Sequence, residues 1–89
     1  MCALKRTAVV VDQSIGIVCK RRIIYQLLKR NRRRSLYFIR IRFKDEVALE
    51  YAGSVLSEAT LLYEKIVKNL VTPCTLHYIV EDYFAENFN

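Results

Sequence analysis

The alternation of apolar and polar side chains between residues 35 and 53 constrains the fold of this chain most. Apolar residues occupy every odd position from 37 to 43, and after a break at 44–46 the same parity resumes from 47 to 51. A period of two is typical of β-strands, so the break predicts a hairpin. Pairing Phe43 with Val47 through a three-residue loop places Arg40 opposite Glu50 and apolar residues opposite one another. This register turns the odd residues toward the core. The even residues point outward, and they are Phe38, Arg40, Arg42, Ala48 and Glu50.

The apolar period changes to that of a helix after Ser54. One stripe with helical spacing contains Val55, Leu56, Ala59, Leu62, Tyr63, Ile66, Val67 and Leu70. Ser54, Ser57 and Glu58 supply the residue types that cap a helix N-terminus. Pro73 prevents the helix from continuing. The alternative is a longer helix that begins at Asp45, because Glu, Ala and Leu are good helix formers.

Three further elements complete a predicted α+β fold. A β-branched run predicts a first strand over residues 7–12, and a second such run predicts a last strand over 75–80. Ile17, Ile24 and Leu27 recur at helical spacing, which predicts a basic amphipathic helix over residues 19–30. The order β-α-β-β-α-β is the ferredoxin-like arrangement, with two helices on one face of a four-stranded antiparallel sheet. At 89 residues the chain is expected to form a single domain, 1–89.

The charges of the chain are segregated along the sequence. Thirteen of the 15 Lys and Arg residues precede residue 45, where Asp12 is the one acid, whereas residues 45–89 hold eight acids and two lysines. The first half is therefore about +12 and the second about −6, within a net charge of +6. A run with no acid from residue 20 to 44 indicates a partner of opposite charge, either a polyanion or an acidic protein surface.

Residues 47–51, followed by Ser57, Glu58 and Ala59, resemble the third strand and second helix of the RNA recognition motif family. The resemblance spans most of residues 7–80 by element order and spacing. It implies a ferredoxin-like fold that binds RNA on the open face of its sheet. Lys44 matches the basic residue that opens the family's third-strand motif, but Glu46 and Ala48 stand where that motif has stacking aromatics. Val10 likewise replaces an aromatic in the first strand, so a non-stacking version is implied.

In this predicted fold the open sheet face, the hairpin loop and the preceding connection form one cationic surface. Phosphates are its natural ligands, and Phe38 with His77 or Tyr78 would supply stacking platforms. The candidate nucleic-acid-binding residues are Lys29, Arg30, Arg32, Arg33, Arg34, Phe38, Arg40, Arg42, Lys44 and His77. The chain is thus predicted to be a small basic nucleic-acid-binding module, for RNA in preference to DNA. The alternative is a protein-interaction or assembly subunit, including a homo-oligomer, that uses its charge asymmetry and open sheet face.

The residue inventory argues against catalysis. One histidine, no cysteine pair at ligand spacing and no glycine-rich phosphate loop leave no nucleophile, metal or cofactor constellation, so neither an enzyme nor a cofactor is expected. Cys2, Cys19 and Cys74 are an odd, widely spaced set, which favours a reducing intracellular compartment, the cytoplasm or nucleus. The longest uncharged run, residues 69–80, is too short and too polar to span a membrane.

An all-α, histone-like fold remains as the second interpretation. It would place a short helix over residues 22–31, a long helix ending at Leu70, and a third helix entered through Pro73 and Leu76. The strand-like alternation of residues 37–43 argues against it.

Overall fold

A four-stranded antiparallel sheet followed by two helices forms the protein. The computed structural model describes residues 8–31 and 33–87. The elements are β1 (Ala8–Val18), β2 (Arg21–Asn31), β3 (Ser35–Phe43), β4 (Glu46–Gly53), α1 (Leu56–Lys68) and α2 (Pro73–Asn87). Each strand pairs with the next one in the chain, in the spatial order β1-β2-β3-β4. The molecule is 18 Å along its shortest axis, which fits one sheet covered by helices on a single face.

The predicted α+β class, with two helices against a four-stranded antiparallel sheet, is confirmed. The predicted order β-α-β-β-α-β is wrong, because the chain runs β-β-β-β-α-α. The sheet also excludes the all-α alternative. Hairpin turns therefore join all four strands, and no helix crosses between strands of this sheet.

The segment predicted as a basic helix over residues 19–30 is the central strand β2. Cys19 and Lys20 have φ angles of 51° and 65°, which is the left-handed backbone of a two-residue hairpin turn. β2 then pairs with β1 on one side and β3 on the other. Its residues buried beneath the helices, Ile23, Tyr25 and Leu27, alternate with period two, and Leu28 is buried on the other face. The neighbouring Ile24 and Leu28 produced the helical spacing, because a strand between two others carries apolar residues on both faces.

The β3–β4 hairpin is confirmed, but its register is one residue away from the predicted one. Phe43 pairs with Glu46, so the loop contains only Lys44 and Asp45, and Lys44 has a φ of 57°. A one-residue slip moves every side chain of a strand to the opposite face. Ala48, Glu50 and Ala52 therefore lie on the helix side, where Ala52 is buried and lets the helices approach closely. The residues predicted to face the core from β4 are on the other side: Val47, Leu49 and Tyr51.

Helix α1 forms where its apolar stripe predicts it, and it buries Ala59, Leu62, Tyr63 and Ile66 against the sheet. The predicted cap at Ser54 is wrong. The N-cap residue is Val55, which makes no side-chain capping hydrogen bond. This helix is therefore stabilised by packing of its apolar face and not by a side-chain cap.

Residues 75–80, predicted as a strand, belong to α2. Pro73 opens this helix, as its fixed φ and missing N–H allow at a first helical position. The Thr75 amide donates to the Thr72 carbonyl at 3.1 Å. Leu76 and Val80 are buried four residues apart, a helical spacing that the β-branched composition obscured. Within the described ranges, neither helix has the length and hydropathy required to cross a bilayer.

Two buried tyrosines tie the helix layer to the sheet. The Tyr25 hydroxyl donates to the Val71 carbonyl at 3.0 Å, and the Tyr63 hydroxyl donates to Ser14 Oγ at 2.9 Å. Gly16 of β1 lies directly beneath the Leu70 side chain, because a Cβ at this glycine would be 2.9 Å from Leu70 Cδ2. The C-terminal end of α1 is therefore held over β1 and β2.

We expect stability to fall steeply above pH 10. Burial raises the pKa of Tyr25 to about 12 and also raises the pKa of Tyr63. The folded state keeps these protons while the unfolded chain loses them, so the free energy of unfolding decreases by up to about 1.4 kcal/mol per pH unit for each tyrosine. Below pH 10 the contribution is fully present. Urea unfolding across the alkaline range would measure this decrease.

The matched control is Tyr25→Phe. At neutral pH it should cost roughly 1–3 kcal/mol, because the Val71 carbonyl loses its buried donor. The same variant should show a shallower alkaline decrease, since one of the two shifted phenols is gone. If the free energy of unfolding fell equally steeply with pH in the variant and the wild type, Tyr25 would not contribute to the alkaline decrease.

Candidate binding face

The face of the sheet that carries no helix, called the open face below, is apolar and basic. Cross-strand partners share a face, so the pairing assigns its members directly. They are Ala8, Val10, Gln13, Ile15, Ile17, Arg22, Ile24, Gln26, Leu28, Arg30, Leu36, Phe38, Arg40, Arg42, Val47, Leu49 and Tyr51. None of these residues is acidic. The carboxylates of the described residues lie in the helices, at turns or on the helix side of the sheet, so none of them belongs to the open face.

Large aliphatic side chains are exposed across the open face. Ile15 and Ile17 on β1 are 57% and 62% exposed, and Val47 and Leu49 on β4 are 60% and 54% exposed. Single exposed apolar residues are common on proteins, whereas these four lie on one face, as two pairs at opposite edges of the sheet.

A polar ladder crosses the middle of this apolar face. Gln26 donates from Nε2 to Gln13 Oε1 at 2.8 Å. Arg40 donates to Gln26 Oε1, from Nε at 2.8 Å and from Nη2. The guanidinium of Arg40 is therefore held against the sheet by a neutral acceptor, and its positive charge stays available to a ligand.

Beside the ladder lies a shallow depression of about 190 Å³ lined by Ala8, Leu28, Arg30, Phe38 and Leu49. The Phe38 ring meets the Tyr51 ring edge to face, with 5.6 Å between centroids. Tyr51 is stacked in turn on Phe84 of α2 at 6.3 Å. The Arg30 Nε is buried and makes no hydrogen bond within the described part of the chain. A buried donor without a partner costs free energy that an acceptor on a ligand would recover.

The structure brings some of the predicted site residues together on this face. Arg30, Phe38, Arg40 and Arg42 all belong to the open face, as the alternation in β3 predicted for the last three. Lys44 lies at the β3–β4 turn, with Nζ 5.2 Å from the centroid of the Phe43 ring.

Other predicted site residues lie elsewhere. Lys29 is on the helix side of β2, opposite Tyr37. Arg33 and Arg34 are exposed in the β2–β3 connection, about 26 Å along β3 from the Lys44 turn. The predicted surface that joined this connection to the hairpin loop is thus divided between the two ends of the sheet. Arg32 lies outside the described residues.

His77 is not a platform on the sheet. It lies on α2, where Nδ1 is 3.5 Å from Glu50 Oε2 and Nε2 is 3.1 Å from Glu81 Oε2. Tyr78 is also on α2, with its ring 5.7 Å from that of His77. Because two carboxylates flank the histidine, this position disfavours a phosphate. The predicted placement of His77 on a last strand is wrong, because residues 75–80 form a helix.

The arginines of the open face are not neutralised by the chain's own acids. Across residues 8–31 and 33–87, no Lys or Arg nitrogen lies within 4.0 Å of a carboxylate oxygen, and the recorded ion pairs both involve His77. The positive charge of the face is therefore uncompensated within this part of the chain.

Sequence reasoning missed Arg22 and most of the apolar residues of the open face. Arg22, Ile24, Gln26, Leu28 and Arg30 alternate with the helix-side residues of β2. That period of two was present in the sequence, and treating residues 21–31 as a strand would have found it.

No family model, curated protein or solved structure matches this chain. Over the described residues, no group of three or more His, Cys, Asp or Glu side chains is placed to hold a metal ion.

Proposed function

We propose that this protein is a non-catalytic module that binds single-stranded nucleic acid across the open face of its sheet. The observation that supports this best is the charge of the face, which carries Arg22, Arg30, Arg40 and Arg42 and no acid. When Lys and Arg contact phosphates, they release the counterions that were condensed on the nucleic acid, and this release drives binding. RNA is the preferred form, because single strands with unstacked bases are the usual targets of RNA-binding sheets.

The arrangement of the arginines suits an extended strand. Arg30 and Arg42 lie toward opposite ends of the face, since Arg30 pairs with Leu36 and Arg42 with Ile24. Six residues of β2 separate these two pairs, a span of about 20 Å. Arg40 lies between them. A strand that crosses the face would meet a cation at each end and one in the middle.

Phe38 and Tyr51 supply an aromatic surface, which is lacking at the positions that match the third-strand motif of the RNA recognition motif family. The motif positions carry Glu46 and Ala48, which lie on the helix side of β4. Phe38 and Tyr51 are on the open face, in ring contact with each other. Bases stack on such rings with little sequence preference, so we expect binding that tolerates different sequences.

A second candidate is an acidic protein partner, favoured by one specific observation. Ile15, Ile17, Val47 and Leu49 are large, exposed and aliphatic. Such side chains pack against apolar residues of a partner and offer no flat ring for a base. The negative charge of an acidic protein would complement the arginines, as the phosphates of a nucleic acid would.

A titration of fluorescein-labelled oligonucleotides by anisotropy tests the first hypothesis. Single-stranded RNA, single-stranded DNA and duplex DNA would each be measured at two salt concentrations with the complete protein. We expect the single strands to bind more tightly than the duplex, with an affinity that falls as salt rises. Absence of binding at low salt would contradict the proposal and favour the protein partner.

Phe38→Leu tests whether a base stacks on the open face. The leucine keeps apolar volume but removes the ring, so the affinity for single strands should fall by about 5- to 150-fold, which corresponds to the 1–3 kcal/mol typical of one stacked base. Duplex binding should change little. Leu61→Ala on the exposed side of α1 is the matched control and should change neither affinity. An unchanged affinity for single strands in Phe38→Leu would exclude stacking there and leave only phosphate contacts.

A further inference from the structure

The two edge strands of the sheet, β1 and β4, have different surroundings. Along β4, helix α2 packs against the strand, with Phe84 stacked on Tyr51 and His77 beside Glu50. β1 has β2 on one side and no strand on the other within the described residues. An unpaired strand edge presents a row of backbone donors and acceptors that can pair with another strand. β1 is therefore the open edge.

The second half of β1, residues 13–18, lacks the usual devices that prevent edge pairing. Natural edges carry charged residues, Pro or bulges, or are very short. β1 is 11 residues long and contains no Lys, Arg or Pro. A bulge between Val10 and Asp12 interrupts the first part of the strand, but residues 13–18 pair regularly with β2. This regular half is the segment able to accept another strand.

We propose that two copies of the chain pair through β1 in antiparallel orientation, centred on Gly16, to form a continuous eight-stranded sheet. A twofold axis perpendicular to the sheet places a residue opposite its own copy, and centring it on Gly16 sets Ile15 opposite Ile17 of the second copy. Both are more than half exposed in the single chain, and aliphatic cross-strand pairs stabilise a sheet. The same register brings Asp12, next to the bulge, near Lys20 in the β1–β2 turn of the second copy, at each end of the pairing, where the two side chains have opposite charges.

Other registers match less well. Centring on Ile15 would set Asp12 opposite Val18 and Ile17 opposite Gln13. Centring on Ser14 would set Asp12 opposite Gly16. Leu70 favours the Gly16 register as well, because it lies directly over that glycine and is 44% exposed. The two copies of Leu70 would meet near the axis on the helix side.

Charge argues for this edge pairing over stacking of the two open faces. Each open face carries Arg22, Arg30, Arg40 and Arg42 without an acid, so stacking would bring like charges together. Pairing through β1 joins the strands that carry no cation and leaves both open faces accessible, side by side on one surface. The dimer does not depend on the ligand proposed above.

Sedimentation equilibrium of the complete chain over a concentration series, without ligand, tests the dimer. We expect a monomer–dimer equilibrium that weakens about tenfold in Asp12→Lys and in Lys20→Asp, since each change makes two like-charge pairs per dimer. The double variant restores opposite charges, so its association should return close to that of the wild type. Leu61→Lys, an exposed change on α1, is the control and should leave association unchanged.

Amide hydrogen exchange identifies the surface that associates. The β1 amides that do not bond to β2 should become protected as the protein concentration rises, whereas face stacking would leave them exposed. A monomer at every concentration would overturn the proposal. A dimer whose dissociation constant is unchanged by Asp12→Lys and Lys20→Asp would also overturn it, and so would a dimer in which those amides stay unprotected. None of these outcomes bears on oligonucleotide binding, which is measured separately.

Discussion

Replacing the four arginines of the open face by glutamine should lower the affinity for a single-stranded oligonucleotide by about a hundredfold or more at low salt. The changes are Arg22→Gln, Arg30→Gln, Arg40→Gln and Arg42→Gln. Glutamine keeps most of the apolar stem and, at position 40, a donor for Gln26. The logarithm of affinity plotted against that of salt should become flatter by up to about three units, because each lost phosphate contact removes roughly 0.7 of slope on a single strand.

The matched control removes positive charge from the other layer. Lys65→Gln with Lys68→Gln lowers the net charge on α1, away from the open face. If only overall charge mattered, this pair would lose affinity in proportion to its two charges. We expect a much smaller loss, because contact with phosphates is local at physiological salt. A proportional loss would show that binding, if present, is spread over the whole surface.

The melting temperature provides a further check on the four-arginine variant. These arginines have no carboxylate partner among the described residues, so removing them eliminates repulsion rather than ion pairs. We expect a melting temperature equal to that of the wild type or higher. A large decrease would mean that the lost affinity reflects unfolding.

The largest effect on stability is expected from Ile39→Ala, at about 2–5 kcal/mol. Ile39 is fully buried at the centre of β3, between the sheet and the helix layer. Truncation removes buried methyl groups and leaves a cavity that a close-packed core fills only in part. For a chain of this length the total free energy of unfolding is roughly 4–13 kcal/mol, so this loss is a large share. Urea unfolding followed by circular dichroism would measure it.

Val47→Ala on the adjacent strand is the matched comparison. Val47 is also β-branched, but it lies on the open face and is largely exposed. We expect a change of about 0.5 kcal/mol or less. If the two variants cost the same, then the helices would not cover the face on which Ile39 lies.

The faces of β3 were predictable from the sequence because its alternation is regular and uninterrupted. Phe38, Arg40 and Arg42 lie on the open face as predicted. Helix α1 was predictable for a similar reason, since four turns of one apolar stripe need no information from elsewhere in the chain. Both signals are contained within a short window of sequence.

The face of β4 was not predictable in the same way. Val47 and Ala48 both fit a strand that faces the core, and a single residue in the loop decides which of them does. The structure uses the small residue, because Ala48 and Ala52 leave room for helices. That choice also turned Val47, Leu49 and Tyr51 outward and so added the β4 residues to the candidate binding face.

The sequence alone determined that the chain has a strongly basic half and an acidic half, and that β3 presents arginines on one side. Only the tertiary structure decided that the acids of the described residues lie off the face that carries these arginines. The physical reason is that residues 21–31 carry apolar side chains at both strand and helix spacing, so their conformation depends on partners. Once β1 and β3 flank this segment, its backbone pairs on both sides, and Arg22 and Arg30 join Arg40 and Arg42 on a face without acids.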